Sequence, residues 1–287
     1  MKTLIIDGDI VLFQIGRVTE DITDFGDMVC ESFDMESSVR LLEHELDMIA
    51  KRTGYARENM MFAISSDTNF RKTFFPTYKG NRKNVRKPLG LKAMREFLLD
   101  NMEKYQTIMM NDLEADDVMG ILGSDSPDDY TIYSQDKDLY TIPCEQWDFK
   151  KKKFITPKLE QSLHFLYTQV LTGDTVDGYK GCPKIGKVKA QRALCDTKSE
   201  LDMLKACHLL YINEYGEEAK EKLLIQIGQA RILHMADLIQ LRGKELTYNP
   251  YELLGVDDEM LQMWSEEAER NVKPKRVRTK KAEPKAD

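Results

Sequence analysis

Nine carboxylates fall where apolar runs end. Asp7 closes KTLIID and Asp67 follows MMFAIS. Glu114, Asp116 and Asp117 lie in LEADDVMG, Asp136 and Asp138 in SQDKDL, and Asp174 and Asp177 in LTGDTVDGYKG. Acids in a first helical turn face the positive end of the helix dipole and satisfy free amides, which accounts for any one cluster alone. All nine on one edge would repel strongly in a partly dry cleft, so positive charge must sit among them. Carboxylates without paired histidines favour hard ions, Mg²⁺ or Mn²⁺, over zinc. Two such ions about 4 Å apart form the usual device for in-line displacement at phosphorus. His44, His164, His208 and His234 stand in helical patterns away from these motifs and are read as structural.

Positioning the acids requires alternating strands and helices. Strands are expected at 2–7, 60–65, 105–110 and 129–134, with helices at 36–52, 91–103 and 113–123. WDFKKKKFITP reads as a strand, a basic turn and a second strand. This is the pattern of an α/β fold with a parallel sheet flanked by helices, whose site lies outside the carboxyl ends of the strands. From Pro157 the chain becomes helical, at 158–172, 187–195, 199–212 and 217–241, without a flexible linker. Residues 263–287 are basic, contain proline and read as a disordered tail. There is no internal repeat.

The net charge of −7, from 42 Lys and Arg against 49 Asp and Glu, hides two local reversals. Nine basic residues and no acid lie between Phe70 and Arg95: Arg71, Lys72, Lys79, Arg82, Lys83, Arg86, Lys87, Lys92 and Arg95. Lys180, Lys184, Lys187, Lys189 and Arg192 form a second acid-free run from Gly178 to Cys195. Such runs can be solvated faces, but they also steer a polyanion. The five cysteines are scattered, with no CxxC pair or zinc spacing, and read as reduced thiols of a cytoplasmic protein. MKTLIIDGDIVLF has charges inside its apolar run and resembles a buried strand more than a signal peptide, and no stretch approaches a membrane span.

LIIDGDIV also fits the strand and DxD start of haloacid-dehalogenase-type phosphatases, where the first Asp is a nucleophile. That signal leaves EADD, the Asp174–Asp177 pair and both basic runs unexplained. A non-enzymatic nucleic-acid-binding protein would explain the basic runs and leave the nine acids without a role.

The ordered set IIDGD, SSD followed by FRK, YKGNRK, LEADD, SQDKDL and GDTVDGYKG resembles the flap endonuclease and 5′ to 3′ exonuclease family. The likeness covers roughly residues 2–240; DDVMG and GQARIL look most like the exonucleases of T-odd bacteriophages. It implies a PIN-like (resolvase-like) nuclease core over 1–156 with an arch at 70–104. It also implies a helical region at 157–262 holding a helix-three-turn-helix near 174–196. By the same resemblance Asp7, Asp67, Glu114 and Asp116 surround a first Mg²⁺, and Asp117, Asp136, Asp138, Asp174 and Asp177 lie nearer a second. Lys79 and Arg82 would contact the scissile phosphate beside catalytic Asp67 and Asp116, and Tyr78 would stack on an unpaired base. Arg71, Lys83, Arg86, Lys184, Lys187 and Lys189 would contact DNA. The family's Pro-Gly-Ile-Gly turn appears as Pro183, Lys184, Ile185 and Gly186, a departure that bears on the turn and on the K⁺ site that relatives place there. No sliding-clamp-binding motif stands in the tail, which favours a phage or bacterial setting. The implied reaction is hydrolysis of DNA, branched DNA or RNA/DNA hybrid at or near a 5′ end, in a phage-infected bacterium.

Overall fold

The computed structural model describes residues 2–234 and 249–271, apart from the side chains of Phe74 and Asn271. The chain opens with β1 (Thr3–Asp7), α1 (Gly8–Thr19), β2 (Glu20–Asp24), β3 (Val29–Phe33), α2 (Met35–Thr53) and β4 (Met60–Ala63). Next come α3 (Arg71–Phe74), α4 (Leu91–Asp100), α5 (Met102–Tyr105), β5 (Thr107–Ile108), α6 (Ala115–Asp125), β6 (Tyr130–Tyr133), β7 (Gln146–Asp148) and β8 (Lys153–Ile155). The helical part holds α7 (Leu159–Thr172), α8 (Lys187–Leu194), α9 (Glu200–Tyr215), α10 (Ala219–Ala230), α11 (Pro250–Leu253) and α12 (Asp258–Asn271).

The main sheet runs β5-β4-β1-β6-β7-β8, parallel except where β8 turns back against β7. Leu4, Ile5 and Ile6 of β1 are fully buried because helices cover both faces. Leu4, Ile6, Phe62 and Ile64 pack with residues of α1, α2 and α4 on one side. Ile5 and Ala63 pack with Val118, Met119 and Ile121 of α6 on the other. After β1 the chain moves to β4 and β5, then returns to β6 on the opposite side of β1. This reversal opens a crevice at the carboxyl ends of β1 and β6, where a site is expected.

The helical part has its own core of Tyr167, Tyr211, Leu223 and Tyr251, yet it is tied to the sheet. Residues 231–233, beyond α10, lie across the start of α6, and Ile232 and Leu233 join that helix's core. The helix expected to run to 241 ends at Ala230; 235–248 lie outside the described residues.

Two differences from expectation have physical reasons. The exposed hairpin of β2 and β3 is missing from the sequence reading because EDITD and VCESF carry acids and lack a buried face. The tail expected from 263 begins inside α12: Trp264 packs into the helical core and Ala268, one turn on, is buried as well, so residues to 271 are ordered helix. Residues 272–287 lie outside the described residues. No described helix is long and apolar enough to cross a membrane.

Gly120 of α6 allows the 231–233 segment to approach, since a Cβ there would lie 2.5 Å from the Leu233 carbonyl oxygen and 2.6 Å from an Ile232 methyl. Gly120→Ala is expected to lower the urea-unfolding free energy by about 1–3 kcal/mol, the usual cost of overpacking. An unchanged urea midpoint would show that this crossing is loose.

Candidate active site

Asp7 ends β1 and caps α1, accepting from Ile10 N–H at 3.1 Å and from Ser134 Oγ–H, beyond β6, at 2.7 Å. It is 3% exposed. Burial pushes its carboxyl up to about 7, helped by the charges of Asp9 and Asp136 and opposed by those two hydrogen bonds. Burial, then Asp7 and Asp136, holds Asp116 of α6 well above the ordinary carboxylate range. Asp138 rises to about 6 through burial and Asp136, although Gln169 Nε2–H donates to it at 2.6 Å. Asp7, Asp116, Asp136 and Asp138 therefore share one electrostatic neighbourhood, as the sequence led us to expect.

Cations of the chain hold the other acids. Lys79 Nζ donates to Glu114 at 2.8 Å and Tyr78 OH donates to the same carboxylate at 2.8 Å. Burial would raise Glu114, but Lys79 and Arg71 outweigh it and bring the group to about 2. Arg82 pairs with Asp177 at 2.5 Å, and Lys137 with Asp174 at 2.6 Å. Burial raises Asp177 despite Lys79 and Arg82, whereas at Asp174 burial is outweighed by Lys137. The basic segment is docked on the loop after α7: Asn81 Nδ2–H donates to the carbonyls of Thr175 and Val176, and Arg82 Nε–H to that of Val176.

Several assignments change. Asp117, expected near a metal, is fully buried and gives both oxygens to Arg71 at 2.6 and 2.7 Å, with Leu233 N–H donating at 3.1 Å. Arg71, expected on DNA, is 2% exposed and also donates to the Arg231 carbonyl at 2.6 Å. Breaking such a buried pair from one side costs about 3–5 kcal/mol, because a bare charge is left inside. Tyr78, expected to stack on a base, is 6% exposed with its hydroxyl committed to Glu114. The Asp67 side chain is 88% exposed and pairs with Arg95 at 3.0 Å, turned outward by the loop after β4.

Of the remaining basic residues, Lys83 and Lys187 are exposed, whereas Arg86 is tied to Glu20 and Glu31. Lys184 pairs with Glu214 and takes a φ of 63°, so the turn keeps its left-handed residue without the family's glycine. Lys189 Nζ donates to the Lys184 carbonyl at 2.9 Å, so that carbonyl of the turn already has an ammonium partner. The histidines are structural where their contacts are defined: His208 bonds Tyr251, with burial lowering it to about 4, and His164 meets the Leu194 carbonyl.

Sequence reasoning missed Ser65, Ser134, Lys137 and Gln169 as partners of the acids. Asp9 was visible only as the second acid of IIDGD; single hydroxyls and amides carry no pattern. Among the described residues, no three His, Cys, Asp or Glu side chains are gathered closely enough to hold an ion as they stand. The donor chemistry still fits a hard cation, since Asp7 and Asp116 are buried and raised by neighbouring acids, Asp136 among them.

The family model of the 5′-3′ exonuclease N-terminal resolvase-like domain matches residues 2–162, more than half of the chain. The chain belongs to the 5′-3′ exonuclease family. It is 29% identical over 192 residues to an exodeoxyribonuclease of Enterobacteria phage T3, covering 64% of this chain and 63% of that protein. An exonuclease of Escherichia phage T7 is 29% identical over 187 residues, 62% of each chain. The match thus spans under two thirds of the length of these relatives. The phage T5 5′-exonuclease, solved with bound zinc, shares the fold at a TM-score of 0.53 and 18% identity, over 94% of this chain and 99% of that one.

The raised acids give this family member a pH signature. Asp7 titrates at about 7 in the fold against 3.8 ordinarily, so between those values the native state binds more protons than the unfolded chain. Stability should fall as pH rises from about 4 to 7, and a divalent cation should reverse the loss. Thermal melts of metal-free protein across that range, with and without Ca²⁺, check this; a Tm that rises towards pH 7 without Ca²⁺ would contradict it.

Proposed function

We propose that this chain is a divalent-metal-dependent 5′ to 3′ exonuclease and 5′-flap endonuclease. It would hydrolyse phosphodiesters of duplex or branched DNA, and of RNA primers paired to DNA, leaving 5′-phosphate and 3′-hydroxyl ends. The observation that carries this reading is the gathering of Asp7, Asp116 and Asp136 at the sheet's reversal point, where burial and neighbouring acids raise Asp7 and Asp116, beside Lys79 and Arg82 of a basic segment. The family membership and the metal-bound T5 neighbour support it. Asp7, Glu114 and Asp116 would hold a first ion, and Asp136, Asp138, Asp174 and Asp177 a second. Mg²⁺, or Mn²⁺ in its place, supplies Lewis acidity for water attack at phosphorus and for departure of the 3′ oxygen. Lys79 and Arg82 would turn from Glu114 and Asp177 to the scissile phosphate, stabilising charge that grows in the transition state. Lys187, with Lys184 and Lys189, would grip duplex phosphates away from the cut without reading sequence. In a phage-infected bacterium such an enzyme would remove primers and break down host DNA.

Asp7 is poorly set as a phosphatase nucleophile, because its oxygens are capped by Ile10 N–H and Ser134 and its charge is suppressed. A labelled 5′-flap, a nicked duplex and p-nitrophenyl phosphate, each with Mg²⁺ or EDTA, test the proposal. Flap cleavage should require Mg²⁺, and Asp116→Asn should slow it by about 100-fold or more. Full cleavage in EDTA, or hydrolysis of p-nitrophenyl phosphate alone, would refute it.

Replacing Lys187 and Lys189 by Ala should weaken duplex binding evenly across sequences and flatten the log K against log salt slope by about 1 to 2. A preserved slope would remove α8 from the DNA interface.

A further inference from the structure

Asp7 caps α1, Glu114 and Asp116 stand at the start of α6, and one residue between them joins both helices. Ser65 follows β4. Its N–H donates to Asp9 Oδ1 at 3.2 Å, and its hydroxyl donates to Asp9 Oδ2. The same Oγ accepts from Ala115 N–H at 2.9 Å, and the Ser65 carbonyl accepts from Arg95 Nη2–H at 2.7 Å. Asp9 stands in the first turn of α1, two residues from Asp7; Ala115 opens α6 between Glu114 and Asp116.

We propose that Ser65, with Asp9, is a positioning residue that sets Glu114 and Asp116 relative to Asp7 for the nuclease reaction; this rests on the function proposed above. The first amide of a helix needs an acceptor from outside the helix. The Glu114 carboxylate faces Lys79, Tyr78 and Arg71, and the amide of Ala115 that follows it is met by the Ser65 hydroxyl. A hydroxyl can accept from this amide and donate to Asp9 through one atom, which a carboxylate or an amide side chain cannot do. The link crosses from α1 to α6 over the end of β4, so its loss lets the two acid-bearing helix starts move independently. Partners that orient metal-binding groups in this way typically control affinity or rate by about 10- to 100-fold.

Full-length wild type, Ser65→Ala, Ser65→Thr and Ser66→Ala are compared by single-turnover cleavage of a 5′-flap in saturating Mg²⁺. Ca²⁺ titration calorimetry without DNA, flap binding in Ca²⁺ and thermal melts accompany the cleavage assay. Ser65→Ala is expected to lose about 10- to 100-fold in rate or in Ca²⁺ affinity while flap affinity changes little. Ser65→Thr, which keeps the hydroxyl, should recover most of the loss, and Ser66→Ala should match wild type. The proposal is overturned if Ser65→Ala equals wild type in both measures, or if a folded Ser65→Thr is no better than Ser65→Ala. Should Ser65→Ala fail to fold, Asp9→Asn is expected to show the same loss, and a wild-type rate there overturns the proposal. If wild type itself cuts no flap, the nuclease reading fails and the Ca²⁺ titration alone decides the positioning role.

Discussion

Burying several carboxylates at one place is the constraint on which the rest of this structure depends. Asp7 is buried at a strand end where Asp116 and Asp136 also lie; Asp136 raises the other two, and Asp7 raises Asp116. A carboxylate in such a place must be protonated, paired with a base or bound to a cation. The protein uses pairing for the outer acids, through Lys79, Arg82 and Lys137, and among the described residues no base forms an ion pair with the inner ones. That division accounts for the basic segment held across the inner set.

A buried ion pair joins the two halves of the molecule. Arg71 opens α3 in the basic segment, Asp117 stands on the acid-bearing helix, and the backbone of Arg231 and Leu233 at the return from the helical part. Because removing either charge strands the other inside, the pair tolerates little change, and the helical part cannot shift without disturbing α6. Arg71 also lies against the rings of Phe70 and Tyr78, which places the aromatic of the YKGNRK segment inside the lock. The basic segment thus serves two ends: Tyr78 and Arg71 are buried beside α6, while Lys79 and Arg82 pair with the acids.

The strand ends and the acid-bearing helix were legible because their signals are local. Continuous apolar runs marked β1, β4 and β6, and the acids that follow them lie at the carboxyl edge that the parallel pattern implies. The hairpin of β2 and β3 was hidden because exposed, acid-rich strands lack alternation. The order of residues 263–271 was hidden because the basic composition of the tail outweighed one buried tryptophan, Trp264.

The sequence by itself determined the inventory: which acids and which bases exist, on which elements they lie, and which end of the sheet they reach. Periodicity and strand ends are properties of neighbours along the chain, so they survive without coordinates. Only the tertiary structure decided which acid meets which base. Asp116 and Asp117 are adjacent in LEADDVMG, yet a helix turns successive side chains about 100° apart, so one faces Asp7 and the other faces Arg71. Likewise Arg71 and Lys79 belong to one basic run, but the fold buries the first as a structural ion and leaves the second at the edge of the site.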